Sequence, residues 1–333
     1  MDQSSKDIQV SVFARTDTGR RRSSNEDAFI VADLTTGKIG LGPDMVTHRV
    51  GERGSLMVVS DGMGGAAAGE IASEIAVKTV RESLMELSTN FDVCERLKIA
   101  AEKANERIWR YSKQNLKLKG MGATLTAVLV QQETVFVAQV GDSRAYLLRG
   151  DKVKQITKDQ SLVQALVDAG AVAPGQTASL PHNVITQALG TSPDVDVEIT
   201  SVDLCKDDVL IVCSDGLSNK VKAEEMLAYV QHISDLTFLC RTLIELANKR
   251  GGEDNITLVA ARFDGEMLHS AAESNSISGS FKMLNQSSVT TEPITDSYKR
   301  AVDSSCGSSE EELEPTTLVF NPINFKNPST ENE

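Results

Sequence analysis

Three apolar runs in this chain end on an aspartate. "VVSDGMGG" delivers Asp61, "VLIVCSDGLS" delivers Asp215 and "VFVAQVGDSR" delivers Asp142. Aspartate is poorly suited to a strand interior, and Gly62, Gly64 and Gly65 behind Asp61 let backbone or ligand come close. Two more acidic positions stand in turn-like contexts, Glu26 and Asp27 in "NEDAF" and Asp254 in "GGEDNITLV". One Asp-Gly pair is ordinarily just a turn. Several carboxylates delivered to strand ends, where a rigid sheet can hold them, point instead to chemistry.

Carboxylate oxygens suit hard cations such as Mg²⁺ or Mn²⁺. Two such ions bridged by one carboxylate can lower the pKa of a shared water and aim it at a phosphorus atom, so that no protein nucleophile is needed. The competing chemistries lack parts. Only four histidines occur (48, 182, 232 and 269), none beside a glycine-aspartate turn. A GxSxG elbow, a GxxxxGK[ST] loop and a zinc-type Cys/His spacing are all absent. "GRRRSSNED" supplies Arg20, Arg21 and Arg22 just ahead of Glu26 and Asp27. A guanidinium can grip two phosphate oxygens at once, although a solvated basic loop would look the same.

The elements that must position these residues follow from periodicity. "IQVSVFA", "DAFIVAD" and "SLMVVSD" read as strands. Two amphipathic helices follow, "GEIASEIAVKTVRESLMEL" and "VCERLKIAAEKANERIWRYSKQN", and then a meander of strands from "ATLTAVLVQ" to "KVKQIT". A short helix, "SLVQALVDAG", precedes strands at "NVITQAL", "DVEITSVDL" and "DVLIVCSD". A helical region from "KAEEMLAYV" to "LTFLCRTLIELANKR" and a last strand, "NITLVAARF", complete the pattern. Strands adjoin strands and helices come in pairs, which predicts two packed sheets flanked by helix pairs.

With 333 residues, 40% of them hydrophobic, the chain has ample material for a core. Its net charge of −13 disfavours nucleic-acid and anionic-membrane partners. The five cysteines are odd in number and never spaced as CxxC, which suits a reducing compartment. The polar N-terminus and the lack of a bilayer-length apolar run predict a cytoplasmic location. Composition divides the chain into a patterned domain over residues 1–264 and a tail over 265–333. The tail is rich in Ser, Thr, Asn and Glu, carries 11 acids against 4 bases, and is expected to be disordered around a small "TTLVF" island.

The ordered blocks "RRSSNEDAF", "VSDGMGGAAAGEIAS", "GMGATLTAVLV", "VGDSRAYLLR", "ITKDQSLVQALVDAG", "NVITQALG", "VCSDGLS" and "GGEDNITLV" carry a resemblance. Over roughly residues 8–263 the chain resembles the protein phosphatase 2C-type family of metal-dependent Ser/Thr phosphatases, in its bacterial form. The resemblance implies an α+β fold, a four-layer α-β-β-α sandwich of two antiparallel sheets flanked by helix pairs, with a binuclear Mn²⁺/Mg²⁺ site at one end. By the same resemblance Asp61 would bridge the metals and the Gly62 carbonyl would be a further ligand. Asp215 and Asp254 would hold the first metal, and Glu26 and Asp27 the second, directly or through waters. Arg22 would grip the substrate phosphate, and Asp142 would bind a third, weaker metal. Asp159 and Ser161 would open a variable flap over residues 157–190.

Three positions depart from the bacterial pattern: Ala66 and Gln160 stand where histidine is frequent, and Gln187 where arginine is. None is a metal ligand, but the lost histidine leaves the general acid unassigned. The implied activity is hydrolysis of phosphoserine and phosphothreonine in phosphoproteins, opposing a Ser/Thr kinase. A pseudophosphatase scaffold, which loss of a metal aspartate would betray, and a phosphatase of small phosphate esters are the alternatives.

Overall fold

The computed structural model of the protein describes residues 7–40, 45–177, 180–181, 183–270, 277, 281–283 and 318–319. Two antiparallel sheets face each other. The strands of the first are β1 (Gln9–Asp17), β3 (Val46–Arg49), β8 (Arg144–Arg149), β9 (Lys152–Gln155), β12 (Val209–Cys213) and β13 (Ile256–Asp264). They lie in the order β3-β1-β13-β12-β8-β9. The second contains β2 (Asp27–Asp33), β4 (Ser55–Met63), β6 (Leu125–Gln131), β7 (Thr134–Val140), β11 (Glu198–Asp203) and β14 (Lys282–Met283). Its order is β14-β11-β7-β6-β4-β2, with the two-residue β5 (Gly122–Ala123) paired to β4.

Alternation along each strand builds the layers. On β4, Met57 and Val59 enter the core between the sheets, whereas Leu56 and Val58 face the first helix pair. That pair is α1 (Ala66–Glu86) and α2 (Val93–Gln114). The Asp92 carboxylate caps α2 by accepting from the Cys94 and Glu95 amides, and the helix buries Leu97, Ala100, Ala101, Ala104 and Ile108. On β12, Leu210 and Val212 join the inter-sheet core, and Val209, Ile211 and Cys213 face the other helices. Those are α5 (Ala223–His232) and α6 (Leu236–Lys249), behind the short α4 (Asp215–Ser218). Both sheets are covered on both faces, which is why their central strands are apolar runs instead of clean alternations. The expected α-β-β-α sandwich is therefore present. Among the described residues, no helix is long and apolar enough to cross a membrane.

Three differences from the sequence expectation stand out. "NVITQAL" keeps only a two-residue strand, β10 (Val184–Ile185), beyond the short helix α3 (Leu162–Asp168). Strand β3 was not expected, because its four residues alternate between half-buried and exposed and only Val46 among them is apolar. Packing also continues past Asp264. Leu268 and Ile277 are buried in the inter-sheet core, Phe281 packs against it, and β14 pairs with β11. The Lys154 ammonium on β9 lies 4.0 Å from the Phe281 ring centroid, tying the edge of one sheet to the other. The expected boundary at residue 264 thus falls inside packed structure. Of the remaining tail, only Leu318 and Val319 are described, as strand β15.

Burying an aliphatic side chain contributes about 1.5–3 kcal/mol. A chain ending at Asp264, lacking Leu268, Ile277 and Phe281, is expected to melt at least ~6 °C below one ending at Met283, on the scale of ~2–4 °C per kcal/mol for a fold this size. Equal melting temperatures would show that these residues contribute nothing.

Candidate metal centre

Antiparallel pairing sets the location of the acidic residues. The start of β2 lies beside the end of β4, so Asp27 and Asp61 are directly opposed. The end of β4 adjoins the start of β6, which adjoins the end of β7, where the Gly141–Asp142 turn begins. In the other sheet, Arg144 at the start of β8 opposes Cys213 at the end of β12, so the turn leads back to Asp215. Cys213 in turn opposes Leu258, which brings in Asp254, two residues before β13. Finally Asp17 at the end of β1 opposes Ile256, and the chain runs on into Arg20, Arg21 and Arg22. Strand ends far apart in sequence thus meet at one end of the sandwich.

Small polar residues hold the acids in place. Ser214 Oγ donates to Asp27 Oδ2 at 2.7 Å and accepts from the Thr257 amide at 2.9 Å. Thr124 Oγ1 accepts from the Asp61 amide at 2.9 Å. Asn255 Oδ1 accepts from the Glu26 amide at 2.8 Å, and Asn255 Nδ2 donates to the carbonyls of Thr18 and Ser24, both at 2.9 Å. Asn219 Nδ2 donates to Asp215 Oδ2 at 3.1 Å. Sequence reasoning passed over these partners. Their only signal is a polar residue beside each acid at the end of an apolar run, as in "CSDG" and "EDNIT".

The glycines have a packing reason. A Cβ on Gly62 would collide with the carbonyls of Gly69 and Glu26, and one on Gly69 with the Glu26 carboxylate. Strand β4, helix α1 and the Glu26 segment meet there with no room for a side chain. Gly62 N–H donates to the Glu26 carbonyl at 3.1 Å, and Ser73 Oγ on α1 donates to it at 2.6 Å. Glu26 itself is buried, and burial raises its pKa against the pull of Arg22.

The electrostatics are lopsided. Burial pushes the Asp61 carboxyl well above the usual carboxylate range, and the charges of Asp27, Asp215, Asp254 and Asp142 push it further. Asp27 is raised by burial to about 7 although hydrogen bonds from Thr257 and Ser214 oppose the rise. Asp215 is raised to about 6 by burial and by the charge of Asp254, against the pull of Arg144 and Arg22. Asp142 is raised by burial and by Asp215 and Asp159, against Arg144. Two arginines offset this charge. Arg22 Nη2 donates to Asp254 Oδ2 at 2.9 Å, and Arg144 is engaged with Asp159, Nη2 to Oδ2 at 2.5 Å.

At the opposite end of the sandwich, Arg149 grips Asp208 through two bonds of 2.8 and 2.7 Å, both side chains buried. There the buried acid is neutralised, whereas the Asp61 end keeps a surplus of negative charge.

The donor set fits divalent metal. Asp27 Oδ1 and Asp215 Oδ1 are buried without a hydrogen-bond partner, and such acceptors are rare in folded proteins. Among the described residues no three acidic, histidine or cysteine side chains already form a closed cage for one ion. An open array of oxygens suits Mg²⁺-like ions, which take one or two carboxylates and retain several waters. Cys213, two residues before Asp215, is fully buried, and burial pushes its thiol up to about 12. His48 is remote, bonded to Ser55 at the far end of β4.

Gln160, where histidine is frequent, is buried and structural. Its Oε1 accepts from the Gly141 amide at 2.9 Å and its Nε2 donates to the Asp196 carbonyl at 3.2 Å. Gln187 Oε1 accepts from the Asp196 amide at 2.9 Å. Of Ala66 only the backbone, which opens α1, is described.

Comparison with known proteins places this architecture. The family model for protein phosphatase 2C matches residues 42–250. The serine/threonine phosphatase stp of Listeria innocua is 35% identical over 249 residues, covering 74% of this chain and 92% of the relative. The crystal structure of the Mycobacterium tuberculosis serine/threonine phosphatase PstP superposes with a TM-score of 0.66 at 33% identity, covering 77% of this chain and 99% of that one. The PstP catalytic domain solved in complex with two manganese ions gives a TM-score of 0.64 over the same shares, again at 33% identity. This chain belongs to the protein phosphatase 2C family, and is a metal-dependent protein-serine/threonine phosphatase.

Proposed function

We propose that the chain hydrolyses phosphoserine and phosphothreonine in proteins at a binuclear Mn²⁺ or Mg²⁺ centre, with the carboxylate cluster as ligands. The observation that carries this is the surplus of buried carboxylates at one end of the sandwich, with Asp27 Oδ1 and Asp215 Oδ1 lacking partners. Asp61, flanked by Asp27 and Asp215, stands between the sheets' contributions and would be shared by both ions, with the Gly62 carbonyl beside it. Asp215 and Asp254 would hold one ion, and Asp27 with Glu26 the other. Asp142 would serve a third, weaker position. When bound, the cations supply Lewis acidity that lowers the pKa of a water and neutralises phosphate oxygens.

The chain's own groups do the rest. Arg22, held at the rim by Asp254, is placed to exchange one carboxylate for a phosphate and to orient it by bidentate bonding. Asp27 is fixed by Ser214 and Asp61 by the Thr124 hydroxyl, so the ligands need little rearrangement as charge develops. No described histidine stands at this end, and the leaving oxygen would take its proton from water. Substrates would be phosphoproteins modified by a Ser/Thr kinase that this enzyme opposes. Free thiols at Cys94, Cys205, Cys213 and Cys240 support work in the reducing cytoplasm.

Hydrolysis of p-nitrophenyl phosphate is expected to vanish in EDTA and return with Mn²⁺; full activity in chelator would end the metal reading. Asp61→Asn is expected to lose about a thousand-fold or more in kcat, the scale of removing a principal electrostatic element. Asp142→Asn should lose far less, and comparable small losses would show that the bridge is misplaced. For Arg22→Ala, steady-state kinetics should show KM for a phosphopeptide rising more than kcat falls, because the contact exists in ground and transition states alike. An unchanged KM would assign phosphate binding elsewhere.

A further inference from the structure

The one described piece of the distal tail is paired to the flap. Strand β15 (Leu318–Val319) runs parallel to β10, with Leu318 opposite Val184 and Val319 opposite Ile185. The other edge of β10 is already committed to the site. Ile185, fully buried, bridges Ser161, and the Thr186 amide donates to the Gln160 carbonyl at 2.7 Å. Gln160 in turn accepts from the Gly141 amide, next to Asp142, and Asp159 holds Arg144. A short chain of hydrogen-bonded residues thus joins the tail strand to the acidic turn.

The sequence suits this role. "PTTLVFNP" places β-branched and aromatic residues between Pro315 and Pro322, so only a short strand can form. Residues 284–317 join it covalently to β14, so the segment and the edge it pairs with belong to one chain. Tethering gives an effective concentration of order millimolar, enough to populate even a weak strand pairing.

We propose that β10 is a docking edge for extended peptide and that the chain's own Leu318–Val319 segment occupies it, restraining the phosphatase toward protein substrates. A phosphoprotein approaching the acidic end must lie across the flap, whereas an aryl phosphate covers only the carboxylate cluster. Docking therefore lowers turnover of the first and spares the second. The inference rests on the functional reading above for its activity arm, while its binding arm stands without it.

The experiment compares the full chain, the chain ending at Met283, and the full chain carrying Leu318→Pro with Val319→Pro. Amide hydrogen exchange at Ile185 is expected to be slow in the full chain and faster in both others, with the Thr186 amide, held by the Gln160 carbonyl, as the internal reference. A labelled peptide of residues 310–324, added to the chain ending at Met283, should bind and restore the slow exchange. With Mn²⁺, kcat/KM for a phosphoprotein should rise roughly two- to tenfold on truncation or proline substitution, matching a docked fraction of about one half to nine-tenths. p-Nitrophenyl phosphate turnover should stay within about twofold. Identical exchange in all three chains would overturn the docking, and so would failure of the peptide to bind. Altered exchange with unchanged phosphoprotein rates, or with both substrates shifting together, would overturn the restraint. Absence of any phosphatase activity would instead defeat the functional reading, with exchange still deciding the docking.

Discussion

Everything at the working end of this protein depends on holding several like charges close together and away from water. Such an arrangement opposes folding, since each buried carboxylate loses hydration and faces its neighbours. The chain can neutralise a buried acid where function does not forbid it, as Arg149 does for Asp208 at the far end. At the Asp61 end it does not, and the two hydrophobic faces of each sheet must supply what the charges take away. The three apolar clusters, one between the sheets and one under each helix pair, hold the strand ends in register against that repulsion.

Register is the second requirement. Asp27 and Asp61 are opposed only because β2 and β4 pair without a bulge through Asp33 and Ser55. A slip of one residue would turn one of these acids to the other face of its sheet. Asn255 guards against such movement from the first sheet, because its amide ties together the carbonyls of Thr18 and Ser24 and the amide of Glu26. One side chain thereby aligns the arginine-bearing loop with the acidic pair that follows it.

Much of this was legible in the sequence, for definable reasons. Long elements with strong periodicity, such as α2 and the run from β6 to β9, declare themselves locally. The acids were visible because aspartate interrupts an apolar run in "VVSDG" and "VCSDG" alike. Pairing is nonlocal, so the sequence did not show which partner holds each acid: Ser214 and Asn255 look like ordinary polar neighbours. The packing of Leu268 and Ile277 after Asp264 had no readable signal, because they are isolated apolar residues in a serine-rich stretch. Average composition conceals two buried side chains. The flap strand shrank for a related reason, since "NVITQAL" spends backbone bonds on Gln160 and Ala123 and joins neither of the two main sheets.

The burial of Cys213 separates this design from hydrolases that attack phosphorus with sulfur. A thiol becomes vulnerable to peroxide when it is exposed and ionised at neutral pH. Cys213 is neither: it points into the apolar layer beneath α4–α6, with its pKa raised to about 12. Oxidants that silence thiolate enzymes therefore find no sulfur target in this side chain, two residues from the acidic centre. Packing alone thus closes the route of inactivation through this sulfur, a route that a hydrolase keeping an exposed thiolate at its phosphate site leaves open.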